Sequence, residues 1–112
     1  MFGFSKRNKP PRDTESVAFK RWMANKLDGK QLRYILERSE DSVEYVIGKG
    51  GFISVLEGEL SVICGEKTLF KAKVDTLKAW EFLSLEGATL TGFDLMSGKE
   101  RTILAYYKYY RD

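Results

Sequence analysis

The chain is expected to fold as an α+β domain, mostly antiparallel β, built as a small, partly open barrel or curved sheet. One N-terminal amphipathic helix packs on it. Three observations lead there. Short apolar runs recur along most of the chain, each closed by a polar turn that contains glycine. A single segment near the N-terminus has helical spacing instead. At 112 residues, with 43% hydrophobic and 31% charged side chains, the chain suits one core and is short for two.

Residues 1 to about 13 read as a disordered basic leader. Asn8-Lys9-Pro10-Pro11-Arg12 combines charge with two prolines, which remove backbone donors and disfavour helix before them. The folded domain is expected over 14–112. Asp13-Thr14-Glu15-Ser16 offers oxygens to cap a helix, and Val17, Ala18, Phe19, Trp22, Met23 and Leu27 recur at helical spacing. This predicts a helix from about Thr14 to Leu27, stopped at Asp28-Gly29, with Trp22 buried against the sheet. Lys30 to Arg38 fits a strand through Leu32, Tyr34 and Leu36, and a helix through Leu32, Ile35 and Leu36; strand is favoured because a β meander follows. Ser39 to Ser42 reads as a turn, Val43 to Ile47 as a strand, and Gly48-Lys49-Gly50-Gly51 as a turn or bulge.

Downstream the punctuation is regular. Phe52 to Leu56 and Leu60 to Cys64 flank Glu57-Gly58, and Gly65-Glu66 leads to Thr68 to Val74. There Phe70, Ala72 and Val74 alternate with Lys71 and Lys73, the mark of a half-buried antiparallel strand. Asp75 to Ser84 suits either a helical turn or a strand carrying Trp80 and Phe82 on one side. Ala88 to Leu95, the turn Ser97-Gly98-Lys99, and Arg101 to Tyr110 form a last long hairpin.

The net charge of +3 belongs to the leader. Lys6, Arg7, Lys9 and Arg12 account for four of the 19 cations, and the remaining 15 face 16 acids. The domain thus lacks the broad cationic bias of a dedicated nucleic-acid binder. No apolar run approaches the roughly 20 residues of a spanning helix, and the N-terminus has no secretory h-region, so a membrane partner is not expected. One cysteine, Cys64, cannot form an internal disulfide; it reads as a buried inert thiol, and the expected compartment is the cytoplasm.

The absence of histidine removes Ser-His-Asp, Cys-His and imidazole acid-base chemistry, along with the usual zinc ligand sets. Glu37, Glu40, Asp41 and Glu44 crowd one turn but lack the ligand ladder of a calcium loop, and a solvated turn is the better reading. Gly48 to Gly51 has neither the spacing nor the following helix of a phosphate loop. No catalytic site, cofactor, metal or small-molecule substrate is therefore expected.

Two features point to binding. In Ala105-Tyr106-Tyr107-Lys108-Tyr109-Tyr110-Arg111, tyrosines interleave with cations, as on single-strand-binding sheets. The plainer reading is that strand alternation turns Tyr107 and Tyr109 to the core and Tyr106, Lys108 and Tyr110 outward, since lysine is rarely buried unpaired. Tyr106, Lys108 and Tyr110 are accordingly the candidate partner-binding residues. The basic leader with the amphipathic helix could lie on an anionic surface, but core packing is the better use of its apolar side chains.

The strand rhythm of Gly51-Phe52-Ile53-Ser54-Val55 through Glu59-Leu60-Ser61-Val62-Ile63, and of Thr68-Leu69-Phe70-Lys71-Ala72 on to Leu77, resembles bacterial pleckstrin-homology-like domains over about residues 30–110. The resemblance implies a partly open barrel of about seven strands serving as a lipid-, peptide- or protein-binding platform. Lipid-binding members carry a Lys and an Arg-x-Arg on the first hairpin; this chain has no Arg-x-Arg, so phosphoinositide binding does not carry over. The sequence ends in a strand where the family has a capping helix, which leaves capping to the N-terminal helix. The expected function is a non-catalytic binding or adaptor module for a protein partner or for self-association. The alternative is nucleic-acid binding through the C-terminal Tyr/Lys strand and the basic leader.

Overall fold

The computed structural model describes residues 10–108. The expectation for the leader therefore falls largely outside the described residues, as do Tyr109 and Tyr110. Among the described residues one helix, α1 (Val17–Leu27), precedes eight strands: β1 (Leu32–Arg38), β2 (Glu44–Lys49), β3 (Phe52–Leu56), β4 (Glu59–Cys64), β5 (Lys67–Lys73), β6 (Lys78–Glu81), β7 (Gly87–Asp94) and β8 (Lys99–Tyr107). All pairings are antiparallel and form two sheets, β2-β1-β8-β7-β6 and β3-β4-β5. The sheets face each other across one core without closing into a barrel, which makes the fold α+β.

The chain crosses between sheets at Gly50-Gly51, where φ is +84° and +100°. A Cβ at Gly51 would strike the Ile63 carbonyl, so only glycine lets β2 turn into β3 this close to β4. Three bulges bend the strands. Arg33 is an extra residue of β1 against β8, Ile47 of β2 against β1, and Leu69 of β5 against β4. The ambiguous segment 75–84 is both things in turn: a 3-10 turn at Val74–Thr76, then β6.

Helix α1 starts later than its spacing suggests. Ser16 is the N-cap, its hydroxyl accepting from Phe19 N–H at 3.1 Å while donating to the Asp13 carbonyl. The helix closes the seam between the β3 and β6 edges. Asp28 accepts from Val55 N–H at 2.8 Å and Gly29 N–H donates to Ile53, which covers the edge of β3. On the β6 side Lys26 pairs with Glu81 at 2.7 Å. Phe19, Met23, Ala24 and Leu27 face the core, where they meet Ile35, Ile53, Leu60, Val62, Phe70, Leu90 and Ile103. Trp22 corrects the sequence reading: it is half-buried at the margin, against Phe19 and under Lys26, and Val17 and Ala18 are exposed. The core stripe is narrower than the apolar stripe because α1 touches the sheets along a seam.

Candidate binding face

Register sorts the five-stranded sheet into rows, and on its outer face those rows change character from one end to the other. Lys49, Tyr34, Tyr106 and Gly87 form the first row. Tyr34 and Tyr106 pack at 4.9 Å, and Phe82 completes the cluster edge-on to Tyr106 at 5.0 Å. Gly87 makes room for this, since a Cβ there would sit 2.8 Å from the Phe82 ring. The next row is aliphatic across its middle: Val46, Leu36, Leu104, Thr89 and Trp80. Leu104 is only 4% exposed although it lies outside the cluster between the sheets. Trp80 ends the row at the sheet edge with its ring 5.5 Å from Phe19. The third row, Glu44, Arg38, Thr102, Thr91 and Lys78, is polar, with an Arg38–Glu44 ion pair at 2.9 Å and a Thr91–Thr102 hydrogen bond at 3.1 Å.

The residues singled out by sequence lie at the aromatic end. Tyr106 is half-buried on the outer face, and Lys108 is exposed just past β8, its N–H donating to the Gln31 carbonyl. Tyr110, the third of them, lies outside the described residues, so the face joins two of the three to residues that were not singled out: Tyr34, Phe82, Leu36, Leu104 and Val46. Tyr107 points inward and is buried, its hydroxyl donating to Glu81 at 2.7 Å with Lys30 over its ring. Burial alone would raise the Glu81 carboxyl, but hydrogen bonds from Lys26 and Tyr107 hold it below its ordinary value.

At the opposite end of β8 a charged lock joins the two sheets. Arg101 grips Glu37 with two hydrogen bonds of 2.9 and 2.7 Å, and its third nitrogen donates to Asp94 and to the Leu69 carbonyl of β5, both at 2.8 Å. Asp94 is fully buried and also accepts from the N–H groups of Lys71, Met96 and Ser97. Burial pushes this carboxyl up, yet the hydrogen bonds from Arg101, Lys71, Ser97 and Met96 overcome it and carry it from 3.8 down to about 2. The Arg101 hydrogen bond likewise holds Glu37 low, and Glu37 and Asp94 together raise Arg101. Sequence reasoning missed this lock, since alternation marks an inward position without naming the distant partner that satisfies it.

An open groove of about 630 Å³ lies beside the lock, lined in part by Glu37, Arg38, Glu40, Asp41, Tyr45 and Lys99. The four carboxylates that crowd this turn in sequence are drawn apart: Glu37 is held by Arg101 and Glu44 by Arg38, while Glu40 and Asp41 are exposed. No group of three His, Cys, Asp or Glu side chains that could hold a metal ion occurs among the described residues. Cys64 is half-buried where a buried thiol was expected, and its Sγ donates to the Lys49 carbonyl at 3.2 Å. No helix among the described residues is long and apolar enough to cross a membrane. No family model, curated protein or solved structure matches the chain.

Proposed function

We propose that the protein is a non-catalytic binding module that takes a protein partner, or a second copy of itself, on the outer face of its five-stranded sheet. The observation that carries this reading is the apolar band Val46–Leu36–Leu104, with Trp80 beyond Thr89, beside the Tyr34–Tyr106–Phe82 cluster. A solvent-facing antiparallel sheet ordinarily alternates polar residues outward, and three apolar residues side by side across neighbouring strands there are the pattern of an interaction surface. Val46 stands 52% exposed at the edge of the band, within reach of an incoming chain. The loose likeness to pleckstrin-homology-like domains, which implies a peptide- or protein-binding platform, is in keeping with the same reading.

The test places a photoreactive residue at position 46 and, as a control, at exposed Lys73 on the other sheet. Irradiation in the native cell should yield a defined protein adduct, or a dimer, from position 46 alone. Equal adducts from both positions would sink the reading. A nucleic-acid adduct from position 46 would replace it with the alternative.

A further inference from the structure

The two sheets have four edge strands, and the chain treats them differently. Helix α1 lies against β3 and β6, where Asp28 accepts from Val55 N–H and Lys26 pairs with Glu81. Along β5, Lys71 N–H donates to Asp94, the Lys71 carbonyl accepts from Leu95 N–H, and the Leu69 carbonyl accepts from Arg101. The remaining edge is β2, first in the order β2-β1-β8-β7-β6. Past the bulge at Ile47 it is sheltered by the other sheet. A Cβ at Gly48 would meet the Leu69 side chain, and the Lys49 carbonyl accepts from Cys64 Sγ. Before the bulge, Glu44, Tyr45 and Val46 are all exposed.

The bonds to β1 fix what this free stretch offers. Ser39 N–H donates to the Val43 carbonyl and Gly50 N–H to the Arg33 carbonyl, both at 2.8 Å. Antiparallel alternation then turns the N–H and C=O of Tyr45 toward β1, and those of Glu44 and Val46 away from the sheet. Edge strands in soluble proteins are ordinarily blunted by lysine, proline or a covering element. This stretch has none of these: its apolar side chains Val43 and Tyr45 are 59% and 48% exposed. Charge runs along the edge from acid to base. Glu40 and Asp41 precede β2 and Lys49 ends it, all three exposed and outside any ion pair among the described residues. The surrounding charges alter this little. Arg38 holds Glu44 and Arg101 holds Glu37, Lys99 stands next to Glu100, and Lys67 next to Glu66, while Arg33 beside the Tyr34 ring adds to the basic end.

We propose that β2 pairs with β2 of a second copy of the chain, antiparallel about a two-fold axis at Tyr45. Glu44 then comes opposite the partner's Val46, and Val46 opposite the partner's Glu44. The outward N–H and C=O of both residues are all used, two bonds donated and two accepted by each copy. The same register carries Lys49 toward the partner's Asp41, so the acidic end of one edge meets the basic end of the other. A strand that matches its own reverse in both hydrogen bonding and charge suits a second copy above an unrelated chain. Two-fold pairing within one sheet also leaves both outer faces on the same side. The inference goes beyond the outer-face reading and does not rest on it, because backbone groups make the contact and the Val46 side chain stays on the outer face.

Sedimentation equilibrium of the full chain tests it. A reversible dimer is expected at micromolar to millimolar concentration, since so short an interface falls in the weak, transient class. Glu44→Pro removes an outward N–H, which an edge strand tolerates, and should weaken dimerisation about tenfold or more. Glu44→Ala loses the same carboxylate but keeps the N–H, and should dimerise like the unaltered chain. Register is read separately by cysteine in a Cys64→Ser background. Tyr45→Cys should link into a disulfide dimer on oxidation, because facing residues of a non-hydrogen-bonded pair lie about 4.5 Å apart between Cα atoms. Val43→Cys, off the axis, should not. A chain that stays monomeric at every concentration overturns the proposal, and so does equal linking from positions 43 and 45. Either result leaves the outer-face reading to its own test, an adduct with another protein from position 46. Dimerisation that survives Glu44→Pro also overturns the edge pairing and moves the second copy to another surface.

Discussion

Strand β8 is fastened in opposite ways at its two ends. At Arg101 it is held by charge: a guanidinium between two carboxylates, with a further hydrogen bond to the facing sheet. At Tyr106 and Tyr107 it is held by rings, Tyr106 between Tyr34 and Phe82 outside and Tyr107 in the core inside. The charged end links the sheets directionally, because Lys71 and Leu69 of β5 meet Asp94 and Arg101 through hydrogen bonds. The aromatic end is adaptable, since ring contacts tolerate small displacements. Binding is proposed where packing is adaptable, and the sheets are pinned where it is not.

The largest expected effect comes from breaking the charged end. Asp94→Ala strips a partner from Arg101 and leaves three backbone N–H groups without an acceptor. It should destabilise by about 3–5 kcal/mol, because Arg101 keeps Glu37 but each backbone N–H left without its acceptor costs about 1–3 kcal/mol. Urea denaturation reads this directly. A loss under about 1 kcal/mol would show that water enters and replaces the carboxylate.

Acid should reach the same end next. Asp94 is depressed in the folded chain, so its stabilisation is complete above the unfolded carboxylate range near 3.8 and is lost as pH falls toward about 2. The window is worth roughly 2 kcal/mol. Unfolding followed from pH 5 to pH 2 should show that loss, and Asp94→Asn should flatten it. An unchanged acid limb in the Asn variant would assign the sensitivity to other carboxylates.

Breaking the aromatic end costs less. Tyr107→Phe keeps the ring in place and removes only the hydroxyl bond to Glu81, which retains Lys26. About 1.5 kcal/mol is expected, the range for a hydrogen bond to a charged acceptor. A loss comparable to that of Asp94→Ala would erase the contrast between the two ends. The smallest effect belongs to the connection between β6 and β7, where Leu85→Gly relieves a leucine at a φ of +64° and should stabilise by up to about 1 kcal/mol in thermal unfolding. Destabilisation there would mean that the Leu85 side chain packs more than its exposure suggests.

The residues that misled the reading do so for identifiable reasons. Leu32, Ile35 and Leu36 look half helical because the extra residue at Arg33 breaks the period of two: Leu32 and Ile35 both turn to the core, three residues apart, within a strand. Trp22 sits on the apolar stripe of α1 but at its margin, because the helix fills a seam. Phe70, Ala72 and Val74 were legible because nothing interrupts their alternation, and all three are buried. Of the candidate face, Tyr106 and Lys108 could be found from the C-terminal pattern. Tyr34, Phe82 and Leu104 could not, because they become neighbours only through strand pairing.

By itself the sequence determined the α+β class, the helix ending at Asp28-Gly29, the strands of the meander and most turns between them. These follow from local periodicity and backbone preference, which act over a few residues. Tertiary structure alone decided the division into two sheets, the joining of Glu37, Asp94 and Arg101, the apolar outer band and the projection of Leu83 and Leu85 into solvent. Each depends on register between segments distant in the chain, and a side chain's spacing from its sequence neighbours does not encode which remote residue will face it.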